Sequence, residues 1–242
     1  MNGSALLRLM DMTARQLPAD GSDAGTDDAA VGAGPVPPRA CAPGGETAVL
    51  LPAPSPPLQD LDAALKGRAG RRHYAASSLP AADLAACLAA AQRSASEMPA
   101  PGAEIRLLVV ARDVEGVPPA VYECDGATLD RRARLPAGND LSGVVLQAEF
   151  ADASALVLFV GSIAEATRRW GAHGHRLLHV RAGLAAHGAW LAAEERLLAG
   201  CAFAGLLPSF LRSNGLADGY ATSALFAFAL GPLGRVPGPE AA

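Results

Sequence analysis

The sequence predicts an α+β fold with a mixed central β-sheet, wrapped by helices around one long central helix. Two observations carry this prediction. Residues 170–205 are rich in Leu, Ala and Gly at helical spacing, and three apolar runs at 105–112, 155–160 and 224–231 read as strands. At 242 residues the chain is long enough for one sizeable core but short for two. We therefore expect one domain over 46–236.

The central helix has two contrasting faces. Leu177, Leu184, Leu191 and Leu198 recur every seven residues, which places them on one stripe, while another face carries almost only Ala and Gly. We expect the leucine stripe to be buried and the small face to admit a second helix or a flat ligand at close range. Such a helix has more apolar surface than one small domain can cover, so the pattern also predicts a homodimer.

The remaining elements follow from local signals. Ser78 is a candidate helix cap, with Pro80 in the first turn. The run at 155–160 is apolar at every position, as expected for a strand that is buried on both faces. The predicted helices are 58–68, 78–95, 162–170 and 207–213; the other predicted strands are 46–51, 120–124 with a following hairpin, and 201–205.

Composition excludes several functional classes. A net charge of −4 argues against a surface that follows a nucleic-acid backbone, and no uncharged apolar run is long enough to span a membrane. The first residues lack the features of a secretion signal, so we expect a cytoplasmic protein. In such a protein, four scattered cysteines without a CxxC pair predict free thiols. Residues 1–45 are expected to form a short helix and a disordered linker, and 237–242 a tail.

Two arginines lie at and just beyond the end of the predicted helix at 58–68. The segment reads LKGRAGRRHY; Arg68 and Arg72 are four residues apart, and Tyr74 follows Arg72 by two. It resembles the opening motif of the FMN-dependent nitroreductase superfamily, in particular its SagB-type branch, which oxidises thiazolines and oxazolines in ribosomal peptides. That family has a serine where this chain has Gly70. Guanidinium groups bind phosphate through paired, charge-assisted hydrogen bonds.

Four later segments resemble the same family in order and spacing. They are the 98–110 loop and strand with Pro99 and Gly102, VYEC at 121–124, the central helix, and AGCAFAG at 199–205 followed by the terminal strand and Arg235. The resemblance implies a nitroreductase-like fold and bound FMN. The implied cofactor-binding residues are Arg68, Ala69, Gly70, Arg72, Pro99, Gly102, Gly205 and Arg235. On this reading, loss of Arg72 but not of Arg71 reduces FMN binding.

The expected acid/base pair of this branch differs here. Where SagB-type dehydrogenases carry Lys-Tyr before a glycine, this chain has Arg169-Trp170, and neither side chain is a ready proton donor or acceptor near neutrality. The catalytic candidates are therefore Arg169, Trp170, His173 and His175. A histidine could serve as the base, since its ordinary pKa of about 6.5 suits the task. The alternatives are packing or surface histidines, or a metal site at His175 and His179, for which further ligands are missing.

Three functions remain open from the sequence. The first is an FMN-dependent azoline dehydrogenase acting on a modified precursor peptide, with a cyclodehydratase complex as a possible partner. The second is a small-molecule flavin reductase that uses NAD(P)H. The third is a degenerate family member that serves as a structural partner in a peptide-modifying complex. Tyr74 and Tyr122 could contact a flavin or pack in the core.

Overall fold

The computed structural model describes residues 48–234, which form one seven-stranded sheet with helices packed on it. The predicted helix at 4–17, the linker, Arg235 and the tail lie outside these residues. The strands are Val49–Leu50 (β1), Ile105–Ala111 (β2), Ala120–Asp125 (β3), Thr128–Ala133 (β4), Ala155–Ser162 (β5), Leu198–Phe203 (β6) and Thr222–Pro232 (β7). The helices are Leu61–Gly67 (α1), Ala81–Ser96 (α2), Ile163–Trp170 (α3), Ala172–Glu194 (α4) and Pro208–Ser213 (α5). The α+β class is confirmed.

The strand order is β1-β4-β3-β2-β5-β7-β6. Each pairing between these strands is antiparallel, so the expectation of a mixed sheet was wrong in this respect. The sequence could not reveal this, because apolar runs predict strands but not their relative direction. None of the helices in the described part of the chain is long and apolar enough to cross a membrane.

The central strands are buried on both faces, as predicted. On β5, Val157 and Phe159 belong to the apolar cluster beneath α2 and α4, whereas Leu156 and Leu158 belong to a cluster on the opposite face. Successive side chains of a strand point to opposite faces, so an uninterrupted apolar run is required here. The second cluster is closed by residues of the 141–150 segment and by α5.

The central helix α4 packs as expected on its Ala and Gly face, but its leucine stripe is less buried than expected. Its Ala and Gly face is buried against α2: a Cβ on Gly188 would lie 2.6 Å from the Ala90 carbonyl oxygen. This confirms that the small residues admit a second helix at close range. The leucine stripe is only partly covered, with Leu184 and Leu191 half-buried, and Leu198 lies beyond the helix in β6. Because short side chains let two helix backbones approach closely, the Ala and Gly face, rather than the leucine stripe, packs against α2.

The start of α2 also differs from expectation. Ser78 does not cap the helix; its hydroxyl donates to Asp113 Oδ1 at 2.6 Å, and the N-cap position is Pro80 without a side-chain hydrogen bond. The start of α1 is capped by Asp60, whose carboxylate accepts from the Ala63 N–H at 2.8 Å. This cap fixes the point where α1 begins, and hence where the arginine segment emerges after Gly67.

Candidate flavin site

The arginine segment runs extended from Arg68 along the edge of the sheet. The Arg71 N–H donates to the Gly200 carbonyl of β6 at 3.0 Å, and the Ala75 N–H donates to the Pro232 carbonyl of β7 at 2.9 Å. The Gly234 N–H in turn donates to the His73 carbonyl at 2.9 Å. The segment is therefore held by backbone hydrogen bonds to β6, to the last residue of β7 and to Gly234, which follows β7.

The three arginines of this segment have different environments. Arg68 is exposed, and its guanidinium carbon lies 4.6 Å from the ring centroid of Trp190. Arg71 pairs with Glu194, whose side chain is only 2% exposed, and also donates to the Gly67 carbonyl at 3.0 Å. A buried carboxylate needs such a partner. Arg71, whose loss was expected not to affect FMN binding, therefore has a structural role that the sequence did not reveal.

Arg72 is the arginine that faces a cleft. Its Nη1 donates to Glu149 Oε1 at 3.1 Å, and its guanidinium carbon lies 5.5 Å from the ring centroid of Phe150. The neighbouring Cys201, followed by Glu149, raises the pKa of the guanidinium. These contacts hold the planar group at the edge of β6 while its side chain remains half exposed.

The cleft beside Arg72 has a volume of about 350 Å³. Its lining residues are Gly70, Arg71, Arg72, His73, Leu233 and Gly234. Gly70 has no side chain to narrow it, and a Cβ at that position would lie 3.3 Å from Cys201 Sγ. Two of the predicted cofactor residues, Gly70 and Arg72, thus meet here. The cleft can receive an anionic group, since a guanidinium and exposed backbone border it.

A second group of predicted residues meets around the loop before β2. The Trp170 Nε1–H donates to the Pro101 carbonyl at 2.8 Å, and a Cβ on Gly102 would lie 3.2 Å from Arg169 Cβ. Gly102 has a φ of +83°, which favours glycine. Pro99, Gly102, Arg169 and Trp170 are therefore neighbours, but the indole N–H is used to fasten a loop.

Arg181, which was not singled out from the sequence, stabilises the same loop. Its guanidinium donates to the carbonyls of Ala95, Ala100 and Ala103 at 3.1–3.3 Å. One side chain of α4 thus binds the last turn of α2 and the loop that follows it. The loop that carries Pro99 and Gly102 is consequently held against the first half of α4.

The catalytic histidine candidates lie in the first turns of α4. His173 is half-buried and His175 is exposed. The rings of His175 and His179 lie 4.3 Å apart between centroids, and His179 Nδ1 is 2.9 Å from the His175 carbonyl oxygen. Within residues 48–234, no group of three or more potential metal ligands is found. The two candidates are thus close in sequence to Trp170, which ends α3 just before α4 begins.

The two predicted groups lie at opposite ends of α4. Arg68 contacts Trp190 and Arg71 contacts Glu194 near the C-terminal end, whereas Trp170 and His173 flank the N-terminal end. With 23 residues, α4 is roughly 35 Å long at about 1.5 Å per residue. One chain therefore does not bring the predicted cofactor arginines and the catalytic candidates together.

Three predicted positions have other surroundings. The Ala69 N–H donates to Glu194 Oε1 at 3.3 Å. Gly205 follows β6, where its carbonyl accepts from the Leu146 N–H at 2.7 Å, and a Cβ there would lie 2.0 Å from Gln147 Oε1. Arg235 follows Gly234 of the cleft directly but is outside the described residues. Ala69 therefore supports the Arg71–Glu194 pair, and Gly205 leaves room for the Gln147 side chain.

The two tyrosines differ. Tyr122 is buried in the core and its hydroxyl donates to the Pro118 carbonyl at 2.6 Å. The Tyr74 hydroxyl is buried beside the cleft without a hydrogen-bond partner among the described residues, and burial raises its pKa. Tyr122 is thus a core residue, whereas Tyr74 is a partly buried side chain of the arginine segment itself.

Comparison with known proteins identifies the family. The nitroreductase family model matches residues 65–218. No curated protein sequence matches the chain. An Anabaena variabilis protein assigned as a nitroreductase is 17% identical with a TM-score of 0.66; the match covers 78% of this chain and 42% of that one, so this chain spans less than half of its relative.

Two further solved structures share the fold. A chain of the E. coli microcin synthetase McbBCD complex, with truncated pro-MccB17 bound, is 13% identical with a TM-score of 0.55, and the match covers 97% of this chain and 95% of that one. A Desulfovibrio desulfuricans protein assigned as a nitroreductase, in complex with FMN, is 17% identical with a TM-score of 0.50, covering 76% and 94%. Because the family model covers more than half of the sequence and the fold agrees, this chain belongs to the nitroreductase family.

Proposed function

We propose that this protein is an FMN-dependent oxidoreductase that oxidises azoline rings in a modified precursor peptide. The observation that carries the proposal is the cleft beside Arg72, bordered by Gly70 and Gly234, in a chain of the nitroreductase family. The residues present fit the phosphate end of FMN: an exposed guanidinium fork, and glycines that leave the backbone accessible. When bound, FMN supplies hydride acceptance.

The chain's own residues would divide the work of binding. Arg72 offers a planar fork that lies over Phe150, and Arg68 adds a second positive charge next to Trp190. Arg71 is excluded from this role because Glu194 occupies it. Arg235 follows the cleft in sequence and is proposed as a third basic group.

We propose a homodimer as the functional unit. On α4, Val180 is 42% exposed, and Leu61 and Leu65 of α1 are also exposed, so apolar surface lies on both elements. Antiparallel packing of two α4 helices would bring Arg68 and Arg72 of one copy near the Trp170 end of the other. The 35 Å length of α4 estimated above makes a second copy necessary if both groups serve one site.

Light scattering tests the dimer. We expect twice the chain mass at micromolar concentration, and a Val180→Glu variant that is shifted toward monomer because it places a charge in the proposed interface. Val180→Ala is the matched control and should remain dimeric. A monomeric wild-type protein would contradict the proposal.

Azoline oxidation is the finer part of the proposal. It is supported by the resemblance to SagB-type enzymes and by the fold match, over almost the whole chain, to the microcin synthetase complex. Trp170 has no acidic group and its N–H is bonded to Pro101, so His173 or His175 is the proposed base. The proposed partners are the modified peptide and a cyclodehydratase complex.

Two measurements test this function. The purified protein should show flavin absorption in visible light, and the Arg68→Ala, Arg72→Ala double variant should lose it while remaining folded. Incubation with an azoline-containing peptide in air should remove two hydrogen atoms per ring, measured by mass spectrometry. NAD(P)H consumption without peptide oxidation would instead support the small-molecule reductase.

A second candidate is a degenerate structural partner of a peptide-modifying complex. Its specific support is that Trp170 fastens a loop through Pro101 and that Glu149 already pairs with Arg72. A protein that stays colourless at saturating FMN, yet stimulates the activity of its complex, would favour this candidate over the enzyme.

A further inference from the structure

The Arg72–Glu149 pair lies at the cleft where the phosphate of FMN is proposed to bind. Glu149 belongs to the short 3₁₀ turn Ala148–Phe150, which directly precedes the approach to β5. It is 77 residues from Arg72 in sequence. The Arg72 and Glu149 side chains are 53% and 40% exposed, so water reaches both. Such an exposed pair is weak and can exchange partners.

Among the described residues near the cleft, two of the three arginines are paired with carboxylates, which the sequence alone does not show. Arg71 is neutralised by Glu194, and Arg72 by Glu149. Arg68 points its charge over Trp190. An arriving phosphate ester would therefore meet an arginine whose edge already carries a carboxylate. Carboxylates and phosphates seek the same paired donors of a guanidinium fork.

Two other contacts of Arg72 do not compete with an anion. The Phe150 ring lies beneath the guanidinium at 5.5 Å, and the Cys201 side chain lies near it. These contacts can keep the guanidinium plane in position if Glu149 leaves. Glu149 is then not needed to orient Arg72, and its negative charge repels the ligand.

We infer that Glu149 occupies the anion-binding edge of Arg72 and must be displaced by a phosphate ester, so that Glu149 sets the affinity of the cleft for such ligands. The inference rests on the proposed flavin function and deepens it. Phosphate ester binding replaces the Arg72–Glu149 ion pair by an Arg72–phosphate pair, without any covalent change. A ligand without phosphate does not compete with Glu149.

The test compares FMN with riboflavin, which lacks the phosphate, by quenching of flavin fluorescence at fixed ionic strength. Glu149→Gln should tighten FMN binding by about two- to fivefold, the range expected for losing one exposed ion pair, and leave riboflavin binding unchanged. Asp152→Asn is the matched control: it removes one nearby exposed carboxylate that is not paired with Arg72, and should have a smaller effect.

A double-mutant cycle separates direct competition from general charge. In an Arg72→Met background, Glu149→Gln should no longer change FMN affinity. Weaker or unchanged FMN binding by Glu149→Gln would overturn the inference, since Glu149 would then orient Arg72 or have no role. Equal tightening of riboflavin would also overturn it. If wild-type protein binds neither flavin, the proposed function fails and the inference with it; if wild type binds FMN, only the inference is at stake.

Discussion

The two ends of α4 are held in different ways. At the C-terminal end, Arg71 and the buried Glu194 form an ion pair that joins the arginine segment to the helix. At the N-terminal end, Trp170 and Arg181 donate to backbone carbonyls of the 95–103 loop, and Gly174 lets the helix approach α3 closely. The C-terminal end is charge-dependent, because an ion pair joins it to the arginine segment. The N-terminal end is shape-dependent, because the close approach of two helix backbones and hydrogen bonds to backbone carbonyls hold it. Mutations should therefore act differently at the two ends.

The largest expected effect is at the shape-dependent end. A Cβ on Gly174 would lie 2.1 Å from the Ala166 carbonyl oxygen, which is backbone and cannot turn away. Gly174→Ala should lower the free energy of unfolding by about 3 kcal/mol, the upper part of the range for overpacking. Urea denaturation measures this change.

Gly183→Ala is the matched control in the same helix. A Cβ there meets nothing within 4 Å, so the higher helix propensity of alanine should leave stability unchanged or raise it by up to about 1 kcal/mol. Because Val180 of the proposed dimer interface lies one turn before Gly183, the comparison is made in the Val180→Glu background, where a loss as large as that of Gly174→Ala would contradict the role given to backbone crowding.

The next effect is at the charge-dependent end. Arg71→Ala leaves the Glu194 carboxylate buried without its partner and should cost about 2 kcal/mol, less than for a fully buried pair because the Arg71 side chain is 32% exposed. The Arg71→Ala, Glu194→Gln double variant removes the unpaired charge and should recover part of the loss. Equal stability of the single and double variants would show that the unpaired Glu194 charge does not cause the loss of stability.

A smaller effect is expected from the hydrogen bond between Trp170 and the loop. Trp170→Phe keeps most of the ring but removes the donor to the Pro101 carbonyl, and should lower stability by about 0.5 kcal/mol because the indole is partly exposed. Hydrogen exchange of the Ala100 and Gly102 amides should be faster in the variant. Unchanged exchange would show that Arg181 alone holds the loop.

The smallest effect concerns acid sensitivity near the same end. The Arg168 hydrogen bond lowers the pKa of Glu165 in α3. Since the folded pKa lies below the unfolded value, the stabilisation is present above the ordinary carboxyl pKa and is lost as the pH falls through the folded pKa. Arg168→Ala should slightly reduce stability at pH 7 while leaving it unchanged at the acid end of the titration, as followed by thermal unfolding.

The sequence by itself determined most of the elements and the burial of the central strands. The apolar run at 155–160 and the small-residue pattern of the central helix predicted β5 and α4 closely, because the alternation of a strand and the spacing of a helix follow from local backbone geometry. The family resemblance also rested on short local motifs. These features depend on residues that are near one another in the chain.

Only the tertiary structure decided which residues and which helix faces contact one another. It chose the small face of α4 for the core, since Gly188 allows α2 within contact distance. It also joined Arg71 to Glu194, 123 residues away, and Arg72 to Glu149, 77 residues away. Which of several equivalent arginines meets a carboxylate depends on how distant segments pack, and no local pattern records that choice.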